Sequence, residues 1–109
     1  MEFVLVGATL IDGTGADPVE NAAVHVKDGK IAWVGSTDSL PDSAKDAPHK
    51  DISGKWLLPG LIDAHIHVCY NGVESVFALL ERSRDELVLE AVHTVGTILS
   101  HGTTTVRDI

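Results

Sequence analysis

His65 and His67 stand one residue apart at the end of an apolar run, Leu61-Ile62-Asp63-Ala64-His65-Ile66-His67. On a strand, side chains at i and i+2 share a face, with Cα atoms ~6.7 Å apart. Two imidazoles held in that way can lean onto one metal ion at Zn–N distances of about 2.0–2.1 Å. Asp63 and Leu61 have the same parity as the histidines, whereas Ile62, Ala64, Ile66 and Val68 make the other face wholly apolar. Pro59-Gly60 is a strong turn dipeptide and marks where the strand begins. Two imidazoles at the end of a buried strand need partners, since an unpaired buried polar group costs up to several kcal/mol. One metal ion would serve both. The pattern suits a strand of a parallel barrel, with helices outside and chemistry at the carboxyl end.

The elements that must position this strand can be read on either side of it. Phe3–Val6 reads as a strand and Ala8–Ile11 as a second, closed by Asp12-Gly13-Thr14-Gly15. Ala22–Val26 and Lys30–Val34 flank Asp28-Gly29, a hairpin signal because a type I′ turn needs positive φ at both central residues. Residues 36–50 are rich in Asp, Ser, Pro and Lys and predict an exposed connection with one short helical turn. Residues 69–74 read as a loop and Ser75–Leu80 as a short helix. Ser83 and Glu86 form a capping-box pair that opens a longer helix. Leu87, Val88, Ala91, Val92, Val95, Ile98 and Leu99 recur on one face of it, and Gly102 closes it. Thr103–Val106 is β-branched throughout and reads as the next strand. Strand, helix, strand is one crossover unit of a parallel sheet.

The run LLPGLIDAHIHV resembles the first barrel strand of the amidohydrolase superfamily of metal-dependent hydrolases. GATLIDGTG, AAVHVKDGKIAWVG and DISGKWLLPG resemble the small β-domain that precedes that barrel, and SHGTTTVRDI resembles its second strand. The GTTTVRD ending is most similar to the imidazolonepropionase and prolidase-like branch. The resemblance implies an α/β fold: the start of a (β/α)8 TIM barrel over residues 60–109, preceded by part of a small β-sandwich domain over residues 1–59. It implies a divalent metal, zinc foremost, as one or two ions, with His65 and His67 as ligands. Such an ion lowers the pKa of a bound water toward ~7, and the resulting hydroxide attacks a carbonyl. The substrate would be a small amide, cyclic amide or dipeptide hydrolysed at a C–N bond. A deaminase or another cyclic-amide hydrolase is the alternative within the superfamily. A short binding or assembly module with a vestigial metal site is the alternative outside catalysis.

Further residues could serve that chemistry. Asp63 would either hydrogen-bond a ligand imidazole or form an ion pair at the barrel floor. Tyr70 and Asn71 follow the strand on its carboxyl-end loop, where barrel enzymes keep substrate contacts. Arg107 and Asp108 end the second strand, and alternation allows only one of them to face the interior. Cys69 reads as a small hydrophobe. His25, His49, His93 and His101 lack ligand spacing with the pair.

The family pattern also calls for a bridging lysine or glutamate, two later histidines and a final aspartate that shuttles the proton. This chain has no lysine after Lys55, and its last residues still read as strand. It therefore reads as an N-terminal portion that contains no complete catalytic set and hydrolyses nothing by itself. Its 109 residues fall far short of the roughly 250 of a whole barrel. With only part of each domain, it is expected to be marginally stable and to associate through exposed apolar surface. The formal net charge of −8 argues against nucleic acid, whose binding rests on Lys and Arg at phosphates. The single cysteine fits a reducing compartment. No stretch nears the roughly 20 apolar residues of a membrane span, and Met1–Gly7 lacks the basic start of a signal peptide. The expectation is a cytoplasmic protein.

Overall fold

The structure is a computed structural model that describes residues 1–70 and 75–109. It divides into two compact units, Met1–Pro59 and Gly60–Ile109.

The first unit is a sheet built around β1 (Glu2–Leu10). β1 pairs antiparallel with β2 (Val19–Lys27), which pairs antiparallel with β3 (Lys30–Ser36). Asp28 at φ 51° and Gly29 at φ 75° make the two-residue hairpin turn that the sequence predicts. The two short strands expected at Phe3–Val6 and Ala8–Ile11 are one. Gly7 takes φ 87° and the pairing register with β2 slips between Val6 and Ala8, so the strand is bulged without being ended. The bulge divides the far edge of β1 between two parallel partners. β4 (His49–Asp51) pairs with Val4–Val6, and β5 (Trp56–Leu57) pairs with Thr9 and Leu10. The turn between those partners lies against the bulge: a Cβ on Gly7 would meet Ser53 Oγ at 2.2 Å. β4 carries no apolar residue, so nothing in its composition marks it as a strand.

One face of this sheet is covered. Val4, Ala23 and Ala44 are fully buried together, with Val6, Trp33, Leu40 and Ala47 packed against them. Leu40, Ala44 and Ala47 belong to the segment read as an exposed connection. It contains α1 (Asp42–Lys45), with Ala44 inside the helix, Leu40 before it and Ala47 after it, three apolar residues that their polar neighbours mask. His25, which looked unremarkable, is 4% exposed on this face. Its Nε2 lies 2.8 Å from Glu2 Oε1, and Lys27 Nζ lies 3.3 Å from the same carboxylate. The opposite face holds Leu10, Ala22 and Val24 with Val26 and Leu57. It opens into an apolar hollow of about 350 Å³ whose lining includes Leu5, Ile31, Val34 and Leu58. Ile31 on its rim is 68% exposed.

In the second unit, β6 (Leu61–Ile66) and β7 (Thr103–Asp108) form a two-stranded parallel sheet. They are joined through a 3-10 turn at Val76–Glu81 and α2 (Arg84–Ser100). α2 begins at the predicted capping box: Ser83 Oγ accepts from Glu86 N–H at 3.3 Å, and Ser83 N–H donates to Glu86 Oε2 at 2.7 Å. Arg82 forms an ion pair with Glu90 in the second turn of the helix. Gly102, at φ 91°, ends it. The seven apolar residues expected on one face of α2 divide in two. Leu87, Ala91 and Ile98 are half-buried, while Val88, Val92, Val95 and Leu99 remain exposed. The apolar arc is wider than a two-stranded sheet can cover. No helix among the described residues is long and apolar enough to cross a membrane.

Candidate metal centre

β6 delivers the histidine pair to its carboxyl end, as the spacing requires. The His65 and His67 ring centroids are 5.2 Å apart, edge to face at 88°. A complete barrel would bury this strand, whereas a chain with two barrel strands predicts a first strand lacking cover, and that is what the structure has. β6 is exposed over Leu61–His65, with Ile62 at 74%, because β7 is its one paired neighbour. Both imidazoles are therefore in contact with solvent, and relief of burial cannot be the reason for a metal.

The stronger reason lies in how His67 is held. Its Nδ1 is hydrogen-bonded to the main-chain oxygen of Ile109, at the end of β7. That oxygen can only accept, so Nδ1 carries the proton. In the neutral ring Nε2 then has the free lone pair. A ring nitrogen tied to a main-chain oxygen while the other stays basic is how metal-binding histidines are oriented. Two more bonds join the same strand ends: Val68 N–H donates to Asp108 Oδ1 at 3.1 Å, and Ile109 N–H donates to the Ile66 carbonyl at 3.1 Å.

The other candidates fall into place around this pair. Asp63 Oδ1 accepts from the main-chain N–H of His65 at 3.1 Å, so the carboxylate contacts the strand backbone. Tyr70 N–H donates to the His67 carbonyl at 3.1 Å, and the two rings are edge to face with centroids 6.3 Å apart. A pocket of about 460 Å³ is lined by His67, Cys69, Tyr70, Leu79, Asp108 and Ile109. Of the two residues that end β7, it is Asp108 that lines this pocket with His67. Cys69, read from the sequence as a small hydrophobe, is part of this wall; Leu79, which carries no sequence signal for it, enters because the 3-10 turn folds back. Asn71 lies outside the described residues.

The donor chemistry fits a divalent ion, with His65 and His67 contributing two nitrogens. Among the described residues no group of three His, Cys, Asp or Glu side chains converges as a complete metal site. Catalytic zinc usually takes three protein ligands and a water, so the pair could supply two of the ligands such an ion needs.

With that geometry in hand, comparison with known proteins is informative. The model of the Amidohydrolase family matches residues 56–109, a span that holds both histidines and β7. An imidazolonepropionase of Cupriavidus metallidurans is 42% identical over 89 residues, covering 76% of this chain and 21% of that enzyme. One from Mesorhizobium japonicum is 32% identical, covering 92% of this chain and 31% of the relative. Among solved structures, molinate hydrolase superposes with a TM-score of 0.81 at 33% identity, over 98% of this chain and 23% of that one. A prolidase complexed with N-methylphosphonate-L-proline gives 0.85 at 25% identity, over 99% and 26%. The chain belongs to the amidohydrolase superfamily, and its α/β fold is that of the start of the superfamily's barrel proteins. It spans between about a seventh and a third of the length of the curated relatives it matches.

Proposed function

We propose that this chain is the opening portion of a metal-dependent amidohydrolase that cleaves a C–N bond in a small amide, cyclic amide or dipeptide. Residues 1–59 would be part of its small β-domain, and residues 60–109 the first strand, helix and second strand of its barrel. The observation that carries the reading is the hydrogen bond from His67 Nδ1 to Ile109, which leaves Nε2 as a metal-binding nitrogen beside His65. A bound divalent ion, zinc by preference, supplies Lewis acidity that acidifies water and polarises a carbonyl. The residues of this chain hold and orient. His65 and His67 bind the ion, and Tyr70 with Asp108 shapes the wall where substrate lies. The imidazolonepropionase relatives and the prolidase neighbour support a small, polar C–N substrate. The acidic charge favours a small-molecule substrate over nucleic acid, and we take the enzyme to be cytoplasmic.

The test is the full-length gene product, assayed with zinc against panels of dipeptides, N-acyl amides and cyclic amides. Turnover that disappears with a chelator and returns with metal is expected. An equally active His65→Ala/His67→Ala protein would sink the reading. The 109-residue chain alone should show no turnover.

A further inference from the structure

The end of β7 contributes no nitrogen to the metal centre, yet it touches the strand end that does. Three bonds meet there within a few residues. His67 Nδ1 donates to the Ile109 main-chain oxygen, Val68 N–H donates to Asp108 Oδ1, and Ile109 N–H donates to the Ile66 carbonyl. The last two bracket His67 on either side, at Ile66 and at Val68, and the first fixes the ring itself. Of the three partners that the end of β7 supplies, only Asp108 acts through its side chain, so it is the one that residue type controls.

We propose that Asp108 is a positioning residue for His67. By anchoring the Val68 N–H it keeps the strand end in the register in which Ile109 meets Nδ1. That selects the tautomer whose Nε2 is free, before any ion arrives. This rests on the reading of His67 as a ligand for its purpose, though not for its geometry. The oxygen of Asp108 works by accepting a hydrogen bond, and its negative charge is secondary. An asparagine could present an amide oxygen to the same N–H, whereas an alanine could not.

The experiment uses the full-length gene product with the metal alone as probe. Cobalt(II) binding is followed by visible absorption in the wild type, Asp108→Ala and Asp108→Asn. Changes in a residue that orients a metal-bound histidine typically cost about 10–100-fold in metal affinity. That range is expected for Asp108→Ala, with Asp108→Asn recovering most of it. In parallel, the His67 tautomer of each metal-free protein is read from imidazole 15N shifts. The wild type and Asp108→Asn should be protonated at Nδ1, and Asp108→Ala should show a substantial Nε2–H population.

An Asp108→Ala protein with wild-type cobalt affinity and an unchanged tautomer would overturn the proposal. So would an Asp108→Asn protein as impaired as Asp108→Ala, because charge and not hydrogen-bond acceptance would then matter. If the wild type binds no cobalt, the metal reading fails while the tautomer measurement still judges the role of Asp108. If Asp108→Ala does not fold, the comparison of Asp108→Asn with wild type decides the matter by the same two readouts.

Discussion

Replacing His67 by alanine removes a nitrogen whose own ring is held by the Ile109 main-chain oxygen, so its loss should exceed that of any residue acting through it. Changes in orienting groups cost about 10–100-fold in metal affinity or activity. His67→Ala and His65→Ala should each cost more, measured as metal content after dialysis and as turnover of the full-length protein. The residue types were enough to find this pair, because alternation along a strand depends on backbone geometry alone. How the pair is held was not legible. Ile109 acts through a main-chain oxygen, which leaves no trace in residue type, and its distance of 42 positions from His67 hides it from any local pattern. The choice between Arg107 and Asp108 needed the pairing register of β7, which sets Asp108 opposite Ile66 and within reach of the Val68 N–H. The Glu2–His25 pair was hidden too, since it depends on register across 23 residues.

Individual elements offer sharper tests. Two glycines should respond to alanine in opposite directions. Gly7 has φ 87°, and its Cβ would meet Ser53 Oγ at 2.2 Å. Gly7→Ala should destabilise the first unit by more than ~1 kcal/mol, through both the left-handed backbone and the clash. Gly96 lies inside α2, where a Cβ meets nothing within 4 Å. Gly96→Ala should stabilise the helix by ~0.8–1 kcal/mol through propensity. Urea midpoints of the full-length protein would check both signs. At the start of α2, Ser83→Ala should cost about 0.5–2 kcal/mol, as the loss of a side-chain cap does.

The same cap has a pH signature. The hydroxyl and main-chain N–H of Ser83 hold the Glu86 carboxyl below its ordinary value. The hydrogen bonds from His25 and Lys27 do the same for Glu2, and those from Thr14 and Ser53 for Asp12 and Asp51. A carboxyl whose folded value is depressed contributes its stability above the unfolded value, ordinarily about 3.9–4.3. The contribution is lost as pH falls through the folded value, where the folded state must also take up its proton. Urea midpoints should therefore be insensitive to these groups from pH 7 to about 5 and fall below about 4. A midpoint that rose on acidification over that lower range would contradict the assignment. Sequence located this helix well, because caps, apolar period and terminal glycine all agree on it. It located β4 poorly, because an edge strand of His49, Lys50 and Asp51 has no apolar pattern to display.

At the level of the whole chain, each unit leaves an apolar face open. The first has the hollow bordered by Ile31 and Val34, and the second has the stripe of Val88, Val92, Val95 and Leu99 on α2. Contiguous exposed apolar surface drives association. The 109-residue chain, produced alone, should bind a hydrophobic dye and sediment with a mass that grows with concentration. A monomer with one sharp thermal transition would contradict this. The barrel's beginning could be read from the sequence because its pattern is local. The exposure of that strand followed from the same pattern, since a chain holding two barrel strands leaves the first with one parallel neighbour.

The bond from Ile109 to His67 also has a place in time. Chains grow from the N-terminus at about 5–20 residues per second, and 42 positions separate the two residues. His67 is therefore made about 2–8 s before the oxygen that holds its ring. Throughout that interval on the ribosome the imidazole is free to choose either tautomer. The arrival of β7, and not the synthesis of the histidines, is the moment at which the His67 ring is held.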